Sequence, residues 1–168
     1  MVNLKRWLSH LFTPPWRWRL TFPGELLNEI EKAVKRSERR HRGEIRFAIE
    51  NTLAPARIWQ GVSARERALE VFSDLQVWDT EENSGVLIYL LLADHEVHIV
   101  ADRGIAKRVA QAEWNAITEA MQTAFRNGDF RQGSLTGIEQ ISRLLAEHFP
   151  AGDKNPNELS DRPVIIRS

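Results

Sequence analysis

Apolar residues between Gly24 and Arg42 fall at Leu26, Leu27, Ile30, Ala33 and Val34, one stripe at helical period. Pro23 suits the entry to such a helix, Glu25 and Glu29 sit near the positive end of its dipole, and Gly43 supplies a stop. Lys35, Arg36, Arg39, Arg40 and Arg42 crowd the predicted last turns as a solvated cationic end. Glu44–Glu50 then alternates, with Ile45, Phe47 and Ile49 on one side and Glu44, Arg46 and Glu50 on the other, which predicts a half-buried strand. Ser63 and Glu66 carry the spacing of a capping box, and Ala68, Leu69, Phe72 and Leu75 continue as a helical stripe. After a polar loop over Asp79–Ser84, the run GVLIYLLLA from Gly85 to Ala93 is short, glycine-led and apolar throughout, the pattern of a central strand covered on both faces. Asp94 and His95 turn the chain, and Glu96–Ala101 returns as an antiparallel partner. Two further helical stripes follow, one carrying Trp114, Ile117, Met121, Ala124 and Phe125, the other Leu135, Ile138, Ile141, Leu145 and Phe149, ended by Pro150.

The order helix, strand, helix, two strands, two helices predicts an α/β fold: a small mixed sheet of three or four strands with an antiparallel hairpin, flanked by helices. Ala56–Gln60 and Val164–Ile166 are both candidates for the fourth strand. At 168 residues the chain holds one domain of ordinary size. It divides into a basic, tryptophan-rich arm over 1–20, the α/β domain over 21–150, and a tail over 151–168 whose Gly, Asn, Asp and Pro content predicts looseness.

Charge changes the picture at the amino terminus. Lys plus Arg equals Asp plus Glu at 23 each, so the chain lacks the broad positive field of a sequence-independent nucleic-acid binder. Residues 1–20 nevertheless hold Lys5, Arg6, Arg17 and Arg19 with no acid, and three of the six tryptophans, Trp7, Trp16 and Trp18. Ser9, His10, Thr13, Pro14 and Pro15 interrupt the apolar stretch that a secretory signal needs, and no window reaches the roughly 18 apolar residues of a spanning helix. The cytoplasm is the expected compartment, with the arm allowing peripheral attachment to a membrane. Two readings of the arm stand side by side. Arginine and tryptophan together suit an anionic membrane surface or a docking partner, through Trp7, Trp16, Arg17, Trp18 and Arg19. Alternatively the arm folds back and packs its tryptophans on the domain, with Pro14 and Pro15 preventing one long amphipathic helix.

Several chemistries are absent. Without cysteine there is no disulfide, thiolate metal site or cysteine nucleophile. Phosphate-binding loops, dinucleotide fingerprints, HExxH and GxSxG are all missing. Arg40-His41-Arg42-Gly43 approaches the RHG of histidine phosphatases, yet Arg42 is inserted and the preceding residues read as helix rather than strand.

Three short motifs remain: Asn83-Ser84-Gly85-Val86 entering the buried strand, Val100-Ala101-Asp102-Arg103-Gly104-Ile105 leaving its partner, and Phe125-Arg126-Asn127-Gly128-Asp129-Phe130 followed by Gly133 between the last two helices. Their order and spacing resemble the TPM domain family over roughly residues 22–150, and Glu38, His41, Gly43 and Glu44 resemble its short bacterial branch. The resemblance implies a helix-flanked small sheet. It also implies a choice of activities: acid phosphatase, calcium binding, or service as an accessory or repair factor for membrane complexes. Longer members open the domain with an acidic residue, where this chain reads Leu20-Thr21-Phe22-Pro23-Gly24.

Asp79 precedes the central strand and Asp102 follows its returning neighbour, so both are expected at one rim of the hairpin. Two carboxylates there would suit Ca2+ or Mg2+, with Asp129 joining across the sheet edge and Arg103 taking phosphate oxygens. This makes Asp102, Arg103 and Asp129 candidate catalytic residues and Asp79 and Asp102 candidate metal ligands. The competing reading makes Asp102 a helix cap and Asp129 a turn residue. Glu38 and His41 are expected as a solvated, salt-bridged pair on one helix face, and Trp78 and Trp114 as core or rim packing. Two functions follow: an accessory module that engages a protein partner or an anionic membrane surface, and, as the alternative, a divalent-cation-dependent acid phosphatase acting on phosphomonoesters.

Overall fold

A computed structural model describes residues 3–167. The elements are α1 (Leu4–Phe12), α2 (Arg17–Thr21), α3 (Gly24–Ser37), β1 (Glu44–Glu50), α4 (Pro55–Trp59), α5 (Ala64–Asp74), β2 (Gly85–Leu91), β3 (Glu96–Ala101), α6 (Arg103–Ala106), α7 (Gln111–Arg126), α8 (Phe130–His148) and β4 (Val164–Ile166). The four strands lie in the order β3-β2-β1-β4. β2 and β3 form the expected antiparallel hairpin, while β1 runs parallel to both β2 and β4. Val164–Ile166 is therefore the fourth strand, and Ala56–Gln60 falls instead in and beside α4, which Pro55 opens at its first turn.

Helices α3, α7 and α8 cover one sheet face, where Phe22, Phe47, Phe125 and Phe130 form a linked aromatic cluster beneath Ile45, Ile49, Val86, Ile88 and Leu90. The other face buries Ala48, Leu87, Tyr89 and Leu91 under Ile58 of α4 and Ala68 and Val71 of α5. β2 is thus buried on both sides, as its unbroken apolar run requires. Ser63 and Glu66 close both bonds of the capping box at the start of α5. The glycines of two motifs mark close backbone approaches. A Cβ on Gly85 would stand 2.0 Å from the carbonyl oxygen of Val77, and one on Gly104 would stand 2.4 Å from that of Glu82 and 2.5 Å from that of Asn83.

β1 departs from expectation, because its polar side is buried as completely as its apolar side. The cause is the last segment of the chain, which docks where looseness was expected. The N–H groups of Glu158 and Leu159 donate to the Glu44 carboxylate at 3.2 and 3.1 Å. The Arg46 guanidinium donates to the carbonyls of Ser160 and Arg162. At the far end of the strand, Glu50 accepts from Tyr89 Oη at 2.6 Å and from Arg67 Nε at 2.9 Å. Each polar group of the alternation has found a partner, so burying it leaves no unmet donor or acceptor.

Candidate functional site

The arm packs on the domain and also keeps an exposed apolar face. Pro14 and Pro15 split it into α1 and α2, as the sequence predicts. Asp94, in the β2–β3 turn, clamps α1 by accepting from Arg6 Nε and Nη2 at 3.0 and 2.9 Å and from His10 Nε2 at 2.9 Å. His10 Nδ1 accepts the Leu53 N–H at 3.0 Å, which puts the imidazole proton on Nε2, where it donates to Asp94. Ser9 Oγ donates to Ala93 O at 2.7 Å, and Asn51 Nδ2 donates to Pro14 O at 2.9 Å. Burial works to raise the Asp94 pKa, but the hydrogen bonds from His10 and Arg6 outweigh it and hold the carboxyl below its usual range.

Trp7 packs against the α5 side of the core, and Trp18 against the α3 side with the Arg19 guanidinium 5.3 Å from its ring centre. Arg17 Nη2 lies 2.9 Å from His95 Nε2. Trp16 stays exposed, and so do Leu4, Leu8, Leu11, Phe12 and Leu20, with Phe12 and Leu20 at 74 % and 77 %. Leu4, Leu8 and Leu11 are spaced as one helix face, opposite the side that carries the clamp. Trp59, on α4 beside α1, is also exposed. The sequence singled out the tryptophans and arginines of this arm and missed its leucines. It missed Asp94 as well, since nothing in a turn aspartate announces that a segment far away in sequence will close on it.

Asp102 is the N-cap of α6: its N–H donates to Gly85 O at 2.9 Å, and its Oδ1 accepts the Arg103 N–H at 2.7 Å. Its Oδ2 is buried without a partner. Asp79 is exposed in the turn before β2, and Arg103 is exposed at the start of α6. Asp129 does not join them. Gly128 and Phe130, which flank it, line a cleft with Leu20 and Thr21 of α2, and Arg17 of that helix lies 2.9 Å from His95 Nε2 in the hairpin turn, the opposite end of β3 from Asp102. α7 itself spans about 24 Å at 1.5 Å per residue. Among the described residues, no group of three or more His, Cys, Asp or Glu side chains is arranged to hold a metal ion. The cation chemistry expected here rests on one buried carboxylate.

A second acidic group lies where none was expected. Glu38, Glu44 and Asp161 line a cleft of about 330 Å3 beneath the docked tail, with Lys35 and Arg39 at its edge. Burial pushes the Glu38 carboxyl up to about 9, reinforced by the Glu44 charge and opposed by the Ile45 N–H that it accepts at 3.0 Å. Burial also pushes Glu44 up to about 7 against its two tail amides. His41 is fully buried rather than solvated, and burial lowers its pKa to about 4. Its Nδ1 lies 3.0 Å from Gly43 O, and Asn155 Nδ2 donates to the carbonyls of Glu38 and His41 at 2.6 and 2.9 Å. Glu38 and His41 are therefore not the expected surface pair; the tail covers them.

The TPM domain model matches residues 21–144. The chain belongs to the TPM domain family. This TPM domain is similar to the BA42 protein of the psychrophilic bacterium Bizionia argentinensis, at 30 % identity and a TM-score of 0.76, over 86 % of this chain and 94 % of that one. It also resembles the N-terminal domain of a P. gingivalis protein at 14 % identity and a TM-score of 0.62, over 83 % of this chain and 94 % of that one, a likeness of fold alone. No curated protein matches it. The matched span begins after α1, so the arm stands outside most of what the family model describes. No helix among the described residues is long and apolar enough to cross a membrane.

Proposed function

We propose that this TPM domain is an accessory module that attaches to an anionic membrane surface through its arm. The supporting observation is the outward apolar face of Leu4, Leu8 and Leu11 on α1, with Phe12, Trp16 and Leu20 also exposed along the same arm, on a segment clamped to the domain by Asp94. Soluble domains rarely leave so many large apolar side chains together in water without a use for them. Lys5 and Arg19 flank these side chains and Trp16 is one of them, a composition suited to the boundary between headgroups and acyl chains. Because the arm is anchored, it would reach the bilayer already ordered and lose little conformational freedom on docking.

Co-sedimentation with phosphatidylglycerol–phosphatidylcholine vesicles at physiological salt tests this reading. Wild type is expected in the pellet, and less of it with phosphatidylcholine alone. A Leu8→Glu/Phe12→Glu variant is expected in the supernatant with an unchanged melting temperature, since neither side chain is in the core. Equal pelleting of the two proteins would end the proposal.

The unpaired Oδ2 of Asp102 favours a second reading, cation-assisted hydrolysis of phosphomonoesters. Asp102→Asn keeps the oxygen that caps α6 and removes the charge. Matching hydrolysis by wild type and variant, with and without Ca2+ or Mg2+, would dispose of it. Titration with either ion that moves no amide near Asp79 or Asp102 would count equally against it.

A further inference from the structure

β3 is an edge strand whose outer side is partly accessible at Ile99 and Ala101, while Val97 is buried. Asp102 N–H donates to Gly85 O, and the register pairs Leu87 with Val100 and Tyr89 with His98. In an antiparallel ladder that parity turns the N–H and C=O groups of Val97, Ile99 and Ala101 away from β2. Among the described residues no strand or side chain is hydrogen-bonded to them. Native edges of this kind are commonly covered, charged or interrupted, because they pair with any extended chain that reaches them.

This edge forms the floor of a groove of about 300 Å3, with Arg65 and Leu69 of α5 on one wall and Trp114 and Asn115 of α7 on the other. Trp114 is nearly fully buried, yet its Nε1–H has no acceptor. A buried indole N–H normally finds one. Arg65 has no ion-pair partner among the described residues, and Leu69 is half exposed.

We propose that the outer edge of β3 is a strand-addition site for an extended peptide segment of another protein, one that sets an acidic side chain against Arg65 and an aliphatic one against Leu69. The peptide's backbone would pair with Ile99 and Ala101, and an acceptor on it would meet the Trp114 indole. Glu96, His98 and Val100 face the α5 side, so the peptide's alternate side chains would lie between them and Arg65 and Leu69. A second copy of this chain, offering its own β3 edge, is the competing occupant that the experiment below separates.

The probe is a short acetylated peptide that alternates valine and threonine and ends in glutamate, titrated into the 15N-labelled full chain. Amide shifts and slowed hydrogen exchange are expected at Ile99 and Ala101, with a shift of the Trp114 indole N–H. N-methylation of alternate peptide nitrogens should weaken binding about tenfold. Arg65→Glu should weaken it about two- to fivefold and favour a lysine-ended peptide by a similar factor. Ile99→Pro removes an outward N–H without touching the β2 ladder and should abolish the slowed exchange. The proposal fails if no binding occurs, if N-methylation changes nothing, or if the shifts fall elsewhere. It also fails if concentrating the protein alone protects those two amides, since a second copy would then be the occupant.

Discussion

Glu38 accepts a hydrogen bond from the Ile45 amide and has two acidic neighbours, Glu44 and Asp161, at the buried wall of the cleft beneath the tail. Arg46 is the cation whose charge reaches it there, and burial lowers the pKa of that guanidinium in turn. With its carboxyl raised to about 9, Glu38 holds a proton in the folded chain that it releases near 4.5 when unfolded. Between those two values the native state binds more protons than the unfolded state, so stability must fall as pH rises. Glu44, raised to about 7, adds to the same slope over its lower part. The expected outcome is a urea midpoint that declines from pH 5 to pH 9, more gently below about pH 6.5, where His41, held neutral in the folded chain with its pKa lowered to about 4, offsets one proton of the slope. Glu38→Gln keeps an acceptor for Ile45 and removes the ionisation. It should flatten the upper half of that decline and stabilise the protein by about 2 kcal/mol near pH 8. An unaltered slope in the variant would place the proton elsewhere.

Among elements, legibility followed how local the determining interaction is. β2 could be read from its nine-residue apolar run, and α5 from Ser63 and Glu66, because the composition and the cap lie within the element itself. The hairpin was legible for the same reason. The buried polar side of β1 was not, since Glu44 and Arg46 find their partners about a hundred residues later in the tail. Alternation states which side can be solvated, not which side is. Asp129 was expected across the sheet edge from Asp102, although the helix already legible in Trp114, Ile117, Met121, Ala124 and Phe125 stands between the two. α1 shows what a single distant contact decides. Asp94→Ala removes the acceptor for both Arg6 and His10 and should cost about 2–3 kcal/mol, much of it from leaving their donors unpaired. Cleavage by trypsin at Lys5, Arg17 or Arg19 should then precede cleavage of the domain. Since the Asp94 pKa is held low, wild type should show the same early cleavage only when pH falls through that depressed value, not at neutral pH. A protease pattern identical in wild type and variant at pH 7 would mean that Trp7 and Trp18 hold the arm without the clamp.

At the scale of the whole molecule, the sheet has two unlike edges. β3 has no strand beyond it among the described residues, whereas β4 closes the side of β1 with three paired residues. The tail that carries β4 joins everything unusual about β1: it supplies the amides at Glu44, the carbonyls at Arg46, and Asp161 beside Glu38. Deleting residues 157–168 should therefore have three linked effects. Stability at pH 6 should drop by about 2–4 kcal/mol, from lost hydrogen bonds and the lost packing of Leu159, Val164 and Ile166 on the core they cover. The newly opened edge of β1 should pair with other chains, seen as concentration-dependent association in size-exclusion chromatography. And the decline of stability between pH 6 and pH 9 should flatten, because Glu38 and Glu44 would meet water and return toward ordinary carboxylate behaviour. The third effect is the discriminating one. Any strand deletion can destabilise and aggregate a sheet, but only a tail that seals these two carboxyls from solvent would take the pH dependence away with it. A truncated chain that is weaker yet keeps the full slope would show that helix α3 and β1 alone enforce the burial.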